Sequence, residues 1–174
     1  MKILGIDPGS TRVGYGLIKK ETGGHLKFIK SGLLKIPSED KGQRLVDLEK
    51  SFLELLKKEK PDLAVLERLY FMRNLKTALE VAQSRGVLTL LIVKHKIPLL
   101  EFTPLEIKQG VSGYGLADKK SVAKAVMRIL NIKKIHGGDD AADALAAAVT
   151  GSNHTKGRLN EIFQLKADRL WRKN

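Results

Sequence analysis

A chain of 174 residues, 43% of them hydrophobic, is long enough to bury one full core, and that composition suits a folded domain. It holds no cysteine, which excludes disulfide stapling and thiolate metal sites, and its apolar runs are too short to span a bilayer. Thirty-two Lys and Arg against nineteen Asp and Glu leave a formal net charge of +13, a surplus that points to a polyanionic partner, nucleic acid first.

The plain alternative for that charge is a Lys/Glu-rich surface such as Lys57-Lys58-Glu59-Lys60, which balanced charge would suit better than a surplus. No N-terminal signal pattern is visible, so the expected address is the cytoplasm, with no membrane association. In chain order, Lys2 to Asp7 reads as a buried strand, with Ile3, Leu4 and Ile6 apolar, broken by Pro8-Gly9-Ser10. Val13 to Lys19 and His25 to Ile36 are the next two strands, split by Thr22-Gly23-Gly24. Such short loops predict an antiparallel meander. The period then changes. Leu45, Leu48, Phe52, Leu55 and Leu56 mark a helix over Gln43–Lys58, ended by Pro61-Asp62. Leu63 to Glu67 is a short apolar strand. Asn74 to Lys94 is a long helix with Leu75, Ala78, Leu79, Ala82 and Val87 on one side. Pro98 to Phe102 is a fifth strand. Thr103 caps the following helix, with Pro104 at its first position. Ser112-Gly113-Tyr114-Gly115 reads as a flexible loop, and Asp118–Leu130 and Asp139–Thr150 as two further helices. The sum is an α/β fold over residues 1–152, a five-stranded mixed sheet with helices on both faces. A basic tail over 153–174, helical or disordered, follows it.

Asp7 and Glu67 each end an apolar strand, where α/β sheets place their chemistry. Gly138-Asp139-Asp140-Ala141-Ala142-Asp143 starts a helix. Asp140 and Asp143, three apart, share one of its faces, and spacing leaves the pair Asp139 and Asp143 equally open. Converging carboxylates repel one another unless a cation sits between them. Hard oxygen ligands suit Mg²⁺ or Mn²⁺. Two such ions about 3.5–4 Å apart activate water and stabilise the leaving oxygen at a phosphodiester. Taken singly, Asp7 before Pro-Gly is a turn former, Glu67 a salt-bridge partner, and Asp139 an N-cap with Asp140 and Asp143 complementing the helix dipole.

Together these stretches carry a resemblance. Gly5-Ile6-Asp7-Pro8-Gly9-Ser10 followed by Gly14-Tyr15-Gly16 resembles the opening motif of the RuvC family of crossover (Holliday) junction endodeoxyribonucleases. Glu67-Arg68-Leu69-Tyr70-Phe71 then Asn74, with Ala82-Gln83-Ser84-Arg85-Gly86, resembles its second block. Asp140 to Ala146 resembles its last, and the match runs in order over about residues 1 to 150. The resemblance implies an RNase H-like fold, a homodimer, and paired symmetric nicks in four-way junction DNA during recombination and repair. It implies Mg²⁺, two ions per site with Mn²⁺ able to substitute, and a branch-migration motor complex as partner. It also implies Asp7, Glu67, Asp140 and Asp143 as the catalytic, metal-binding set, and so chooses Asp140 over Asp139. Two departures stand out: Asp139 adds a charge where many relatives have none, and the tail beyond Gly151 carries no family motif.

Candidate DNA contacts follow Glu67 directly in Tyr70-Phe71-Met72-Arg73-Asn74. An aromatic there could stack on an unpaired base, although core packing is the ordinary fate of adjacent aromatics. The resemblance assigns the stacking role to Tyr70, and Arg73 and Asn74 complete the stretch. Lys119 and Lys120 open a helix, where cations oppose the dipole and phosphate would be the natural partner. A solvated surface is the simpler fate of any one lysine, but the resemblance makes Lys108 and Lys119 functional. His136, beside two glycines, stays out of the metal set. Two other functions compete. The Asp-x-Gly-Ser turn followed by Gly-x-Gly also resembles the phosphate loop of actin-like ATPases and sugar kinases, which need a second lobe that this length hardly allows. A non-catalytic junction-binding protein would keep the basic surface without strand-end carboxylates. The helix from Asn74 is the candidate dimer interface.

Overall fold

Ile3, Leu4 and Ile6 are wholly buried because β1 (Lys2–Asp7) is the middle strand of a five-stranded sheet. The computed structural model describes residues 1–68 and 75–154. β2 (Arg12–Lys20) runs antiparallel to β1, and β3 (Leu26–Lys35) antiparallel to β2, as the short glycine turns require. After α1 (Lys41–Glu59), β4 (Leu63–Glu67) returns parallel to β1 on its other side. After α2 (Leu75–Lys94), β5 (Leu99–Phe102) pairs parallel with β4, giving the order β3-β2-β1-β4-β5. Parallel neighbours need helical crossovers, and α1 and α2 provide them.

The alternation of strand side chains divides the core in two. Leu4, Ile6, Leu17, Ala64 and Leu66 face α1 and α2, meeting Leu48, Phe52, Leu88 and Ile92. Ile3, Ile18, Leu63 and Val65 face the other way, onto α3 (Pro104–Ser112), α4 (Lys119–Ile129) and α5 (Gly138–Asn153). Each fully buried Leu or Ile contributes about 1.5–3 kcal/mol, so the layers, not helix propensity, hold the elements in place. Local signals set the ends. Lys60 takes a left-handed conformation (φ 47°) and donates its N–H to Leu56 O at 2.9 Å, closing α1. Thr103 and Glu106 form a reciprocal capping box at the start of α3. The Ser112–Gly115 loop is tied down by Gln109 Nε2 donating to Gly113 O at 2.9 Å and Ser112 Oγ donating to Tyr114 O at 3.0 Å.

The structure corrects one expectation and divides another. Asp139 is not an N-cap: α5 begins earlier, with Gly137 (φ 104°) in the cap position and no side-chain cap bond, and Asp139 lies in the first turn. Two successive positive-φ glycines let the chain turn into the helix without a capping side chain. The apolar side expected on α2 divides between the core, where Val87 packs, and solvent. Leu88, Leu91 and Ile92 are buried, whereas Leu79 is 69% exposed. The C-terminal half of α2 supplies those core residues, and Glu80 in its first half pairs with Lys41 and Arg44 of α1. Among the described residues no helix is long and apolar enough to cross a membrane. Residues 155–174, most of the predicted tail, lie outside the described residues.

Candidate active site

Ile6 stands opposite Leu66 in the parallel β1–β4 pair, so the next residues, Asp7 and Glu67, leave the sheet together. Counting by twos from Gly5 and Val65 puts both carboxylates on the face covered by α5. That helix lies on the strands with almost no gap. A Cβ on Gly5 would fall 1.9 Å from Ala144 O, and one on Gly14 would fall 2.1 Å from Asp140 O. Only glycine permits this approach, and it carries the first turns of α5 over the strand ends. Asp7, Glu67 and Asp143 therefore line one cleft of about 330 Å³, with Lys108 of α3, Lys119 of α4, and a wall of Pro104, Ile107 and Val122. Asp140 looks into a neighbouring cleft of about 210 Å³, which Asp7 also lines, together with the Pro8–Thr11 turn, Arg12 and Val81.

Burial and mutual repulsion dominate the electrostatics. Burial first, then the charges of Glu67, Asp143 and Asp140, push the Asp7 carboxyl up to about 8, against a smaller pull from Lys119. Burial and Asp143 push Glu67 up to about 7, opposed by Lys119 and Lys108. Lys119 Nζ donates to Asp143 Oδ2 at 2.9 Å, and this bond raises the lysine above its ordinary value. Arg12 Nε lies 2.5 Å from Asp140 Oδ2. Two of the four carboxylates are thus engaged by protein cations, and among the described residues no three acidic or imidazole groups are drawn together tightly enough to chelate an ion as they stand. The donor set nonetheless suits a hard divalent cation. It is all oxygen, it sits at a cleft wide enough for an ion, and a positive charge would relieve the repulsion that raises Asp7 and Glu67.

Of the four carboxylates singled out from the sequence, Asp7, Glu67 and Asp143 share one cleft, and Asp140 meets Asp7 in the neighbouring one. Asp139 is exposed and lines neither cleft. Lys108 and Lys119 reach the main cleft; Lys120 is exposed beside Asp118 and does not line it. His136 is exposed, and its backbone carbonyl accepts a bond from Ser31 Oγ at 2.8 Å. Tyr70, Arg73 and Asn74 lie outside the described residues. Sequence reasoning missed Arg12. The signal was slight: a basic residue directly after Pro-Gly-Ser-Thr, with nothing local to say that α5 brings Asp140 to it.

A mixed sheet in this order, with carboxylates at the ends of two central strands and on the helix laid across them, defines an α/β protein of the RNase H-like class. The model of the family "Crossover junction endodeoxyribonuclease RuvC" matches residues 3–151, and the chain belongs to that family. It is 44% identical over 150 residues to the RuvC of Syntrophomonas wolfei, covering 86% of this chain and 87% of that one. It is also 44% identical over 149 residues to the RuvC of Thermosipho melanesiensis, covering 85% and 94%. The solved structure of Thermus thermophilus RuvC superposes with a TM-score of 0.81 at 29% identity, over 90% of this chain and 96% of that one. The same protein in complex with a Holliday junction substrate superposes at 0.78, over 86% and 92%. The yeast mitochondrial resolvase Ydc2, at 16% identity and a TM-score of 0.66, shares the fold.

Proposed function

We propose that this chain is a Mg²⁺-dependent endonuclease that resolves four-way junction DNA by paired symmetric hydrolysis of phosphodiesters, in recombination and repair. The observation that carries the reading is the single cleft shared by Asp7, Glu67 and Asp143 with Lys108 and Lys119. Anionic ligands for a cation and cations for a phosphate meet on one surface, as hydrolysis of a phosphodiester requires. Asp7, Glu67, Asp140 and Asp143 would hold two divalent ions. Asp7 borders both clefts. The ions, when bound, supply activation of water and stabilisation of the leaving oxygen. The chain's own residues do the rest. Lys108 and Lys119 receive the phosphate. Pro104, Ile107 and Val122 give the cleft a dry wall that strengthens each charge interaction. Tyr70, Arg73 and Asn74 follow Glu67 in sequence and extend the DNA contacts, and Lys120 adds a cation at the opening of α4.

Two strands cut at symmetric points call for two copies, so the active form is a homodimer. Leu79, Leu90 and Val93 of α2 are exposed and supply an apolar surface for it. Membership of the family supports a branch-migration motor complex as partner and a cytoplasmic setting. A cleavage assay comparing a four-way junction with a linear duplex of equal length, with and without Mg²⁺, tests the reading. The expected result is cutting of the junction alone, at symmetric positions, and only with the ion. Equal cutting of the duplex, or junction binding with no cutting under any divalent ion, would overturn it.

A further inference from the structure

Asp7 borders two clefts, and Lys108 and Lys119 serve only one of them. The other holds a cation of a different kind. Arg12 opens β2 immediately after the Pro8–Thr11 turn and commits its Nε to Asp140. The arginine side chain is 63% exposed while the carboxylate is 24% exposed. A guanidinium carries five N–H donors in a planar fork suited to phosphate, and the contact at Nε accounts for one of them. The arginine is therefore a solvent-facing anion ligand whose charge is detained by a carboxylate that a divalent cation also wants.

We propose that Arg12 is a second phosphate ligand, on the far side of Asp7 from Lys108 and Lys119, and that Asp140 holds it in reserve until a divalent cation binds there. The inference rests on the nuclease reading. Arg12 and the ion compete for the same oxygen. An ion on Asp140 cancels the charge that detains the guanidinium, and the guanidinium is then free for the DNA strand that crosses Asp7. The backbone is gripped on both sides of the reacting position, and only once the site is loaded. Metal affinity and DNA affinity are thereby coupled, and linkage makes the coupling reciprocal.

The test measures four-way junction binding by fluorescence anisotropy for the full chain and for Arg12→Gln, each in EDTA and in Ca²⁺, with denaturing gels to verify that the DNA stays intact. Lys58→Gln, a charge loss at an exposed position near the end of α1, controls for net charge. The ion should tighten binding by the unaltered chain about fivefold or more. It should tighten Arg12→Gln far less, with the two proteins nearly equal in EDTA. The salt slope of Arg12→Gln should be shallower by about one counterion in Ca²⁺ and unchanged in EDTA. Lys58→Gln should follow the unaltered chain throughout. Weakening of Arg12→Gln by the same factor in both conditions would reduce Arg12 to an ordinary surface contact and overturn the proposal. So would an ion effect that survives intact in Arg12→Gln, or one absent from the unaltered chain. An unaltered chain that binds no junction in either condition brings down the nuclease reading itself, an outcome distinct from these.

Discussion

Asp7 costs the folded chain stability when it ionises. An ordinary aspartate titrates at 3.8, whereas this one is pushed up to about 8, so the folded state holds a proton that the unfolded chain has released. For a group raised in this way the stabilising contribution is full below about pH 4 and lost as pH rises towards about 8. Glu67 acts in the same sense, between 4.5 and about 7. Thermal melts in EDTA should therefore fall across that range. Asp7→Asn should flatten the fall and melt higher than the unaltered chain at its upper end. Mg²⁺ should rescue the unaltered chain but scarcely the variant, which should still bind junctions yet fail to nick them. Identical pH profiles for the two proteins would show that the repulsion is not there. At this scale the sequence was readable where chemistry coincides with a strand end, as at Asp7 and Glu67. It was unreadable at Arg12, because that role comes from a helix 128 positions downstream, at Asp140, and no local spacing encodes it.

At the scale of elements, the decisive fit is α5 on β1 and β2. The gap is set by side chains that are not there. An alanine at Gly5 would put its Cβ 1.9 Å from Ala144 O, a backbone atom that cannot swing aside. Gly5→Ala should cost about 1–3 kcal/mol or more as an overpacked core, read as a lower melting temperature. It should also lift Asp140 and Asp143 away from Asp7, so that stabilisation by added Mg²⁺ shrinks as well. A variant that loses stability yet keeps the full ion response would separate the helix seat from the site. Strand and helix limits were legible from periodicity and caps to within a few residues: β1 and β4 carry unbroken apolar runs, and Thr103 announces α3. The cap of α5 and the core face of α2 were not legible. The former depends on positive-φ glycines and the latter on which face of a long helix meets α1, and both are decided by tertiary packing.

For the whole molecule, one apolar surface left exposed in a single chain, among the described residues, is the outer face of α2. Leu79 is 69% exposed, Leu90 53% and Val93 61%, and the positions Leu79, Gln83, Gly86, Leu90 and Val93 alternate steps of four and three. That is the spacing of a helix seam made for another helix. Leu79→Glu combined with Leu90→Glu should give a chain that sediments as a monomer, keeps its helical content and loses paired cutting while the unaltered chain sediments as a dimer. Dimers persisting in the double variant would move the interface elsewhere. The resemblance led to the expectation of two copies meeting on the helix from Asn74, but which residues of that helix are exposed only the fold reveals.

One tie gives that face a reach beyond assembly. Arg85 of α2 is paired with Glu101 of β5, whose register neighbour on β4 is Leu66, one residue before Glu67. The surface against which a twin would lean is thus anchored by a guanidinium to the rim that carries the chemistry. A solitary copy would not merely lack synchrony with its twin. With α2 unbraced, its own acidic rim would be slacker, and each single incision slower.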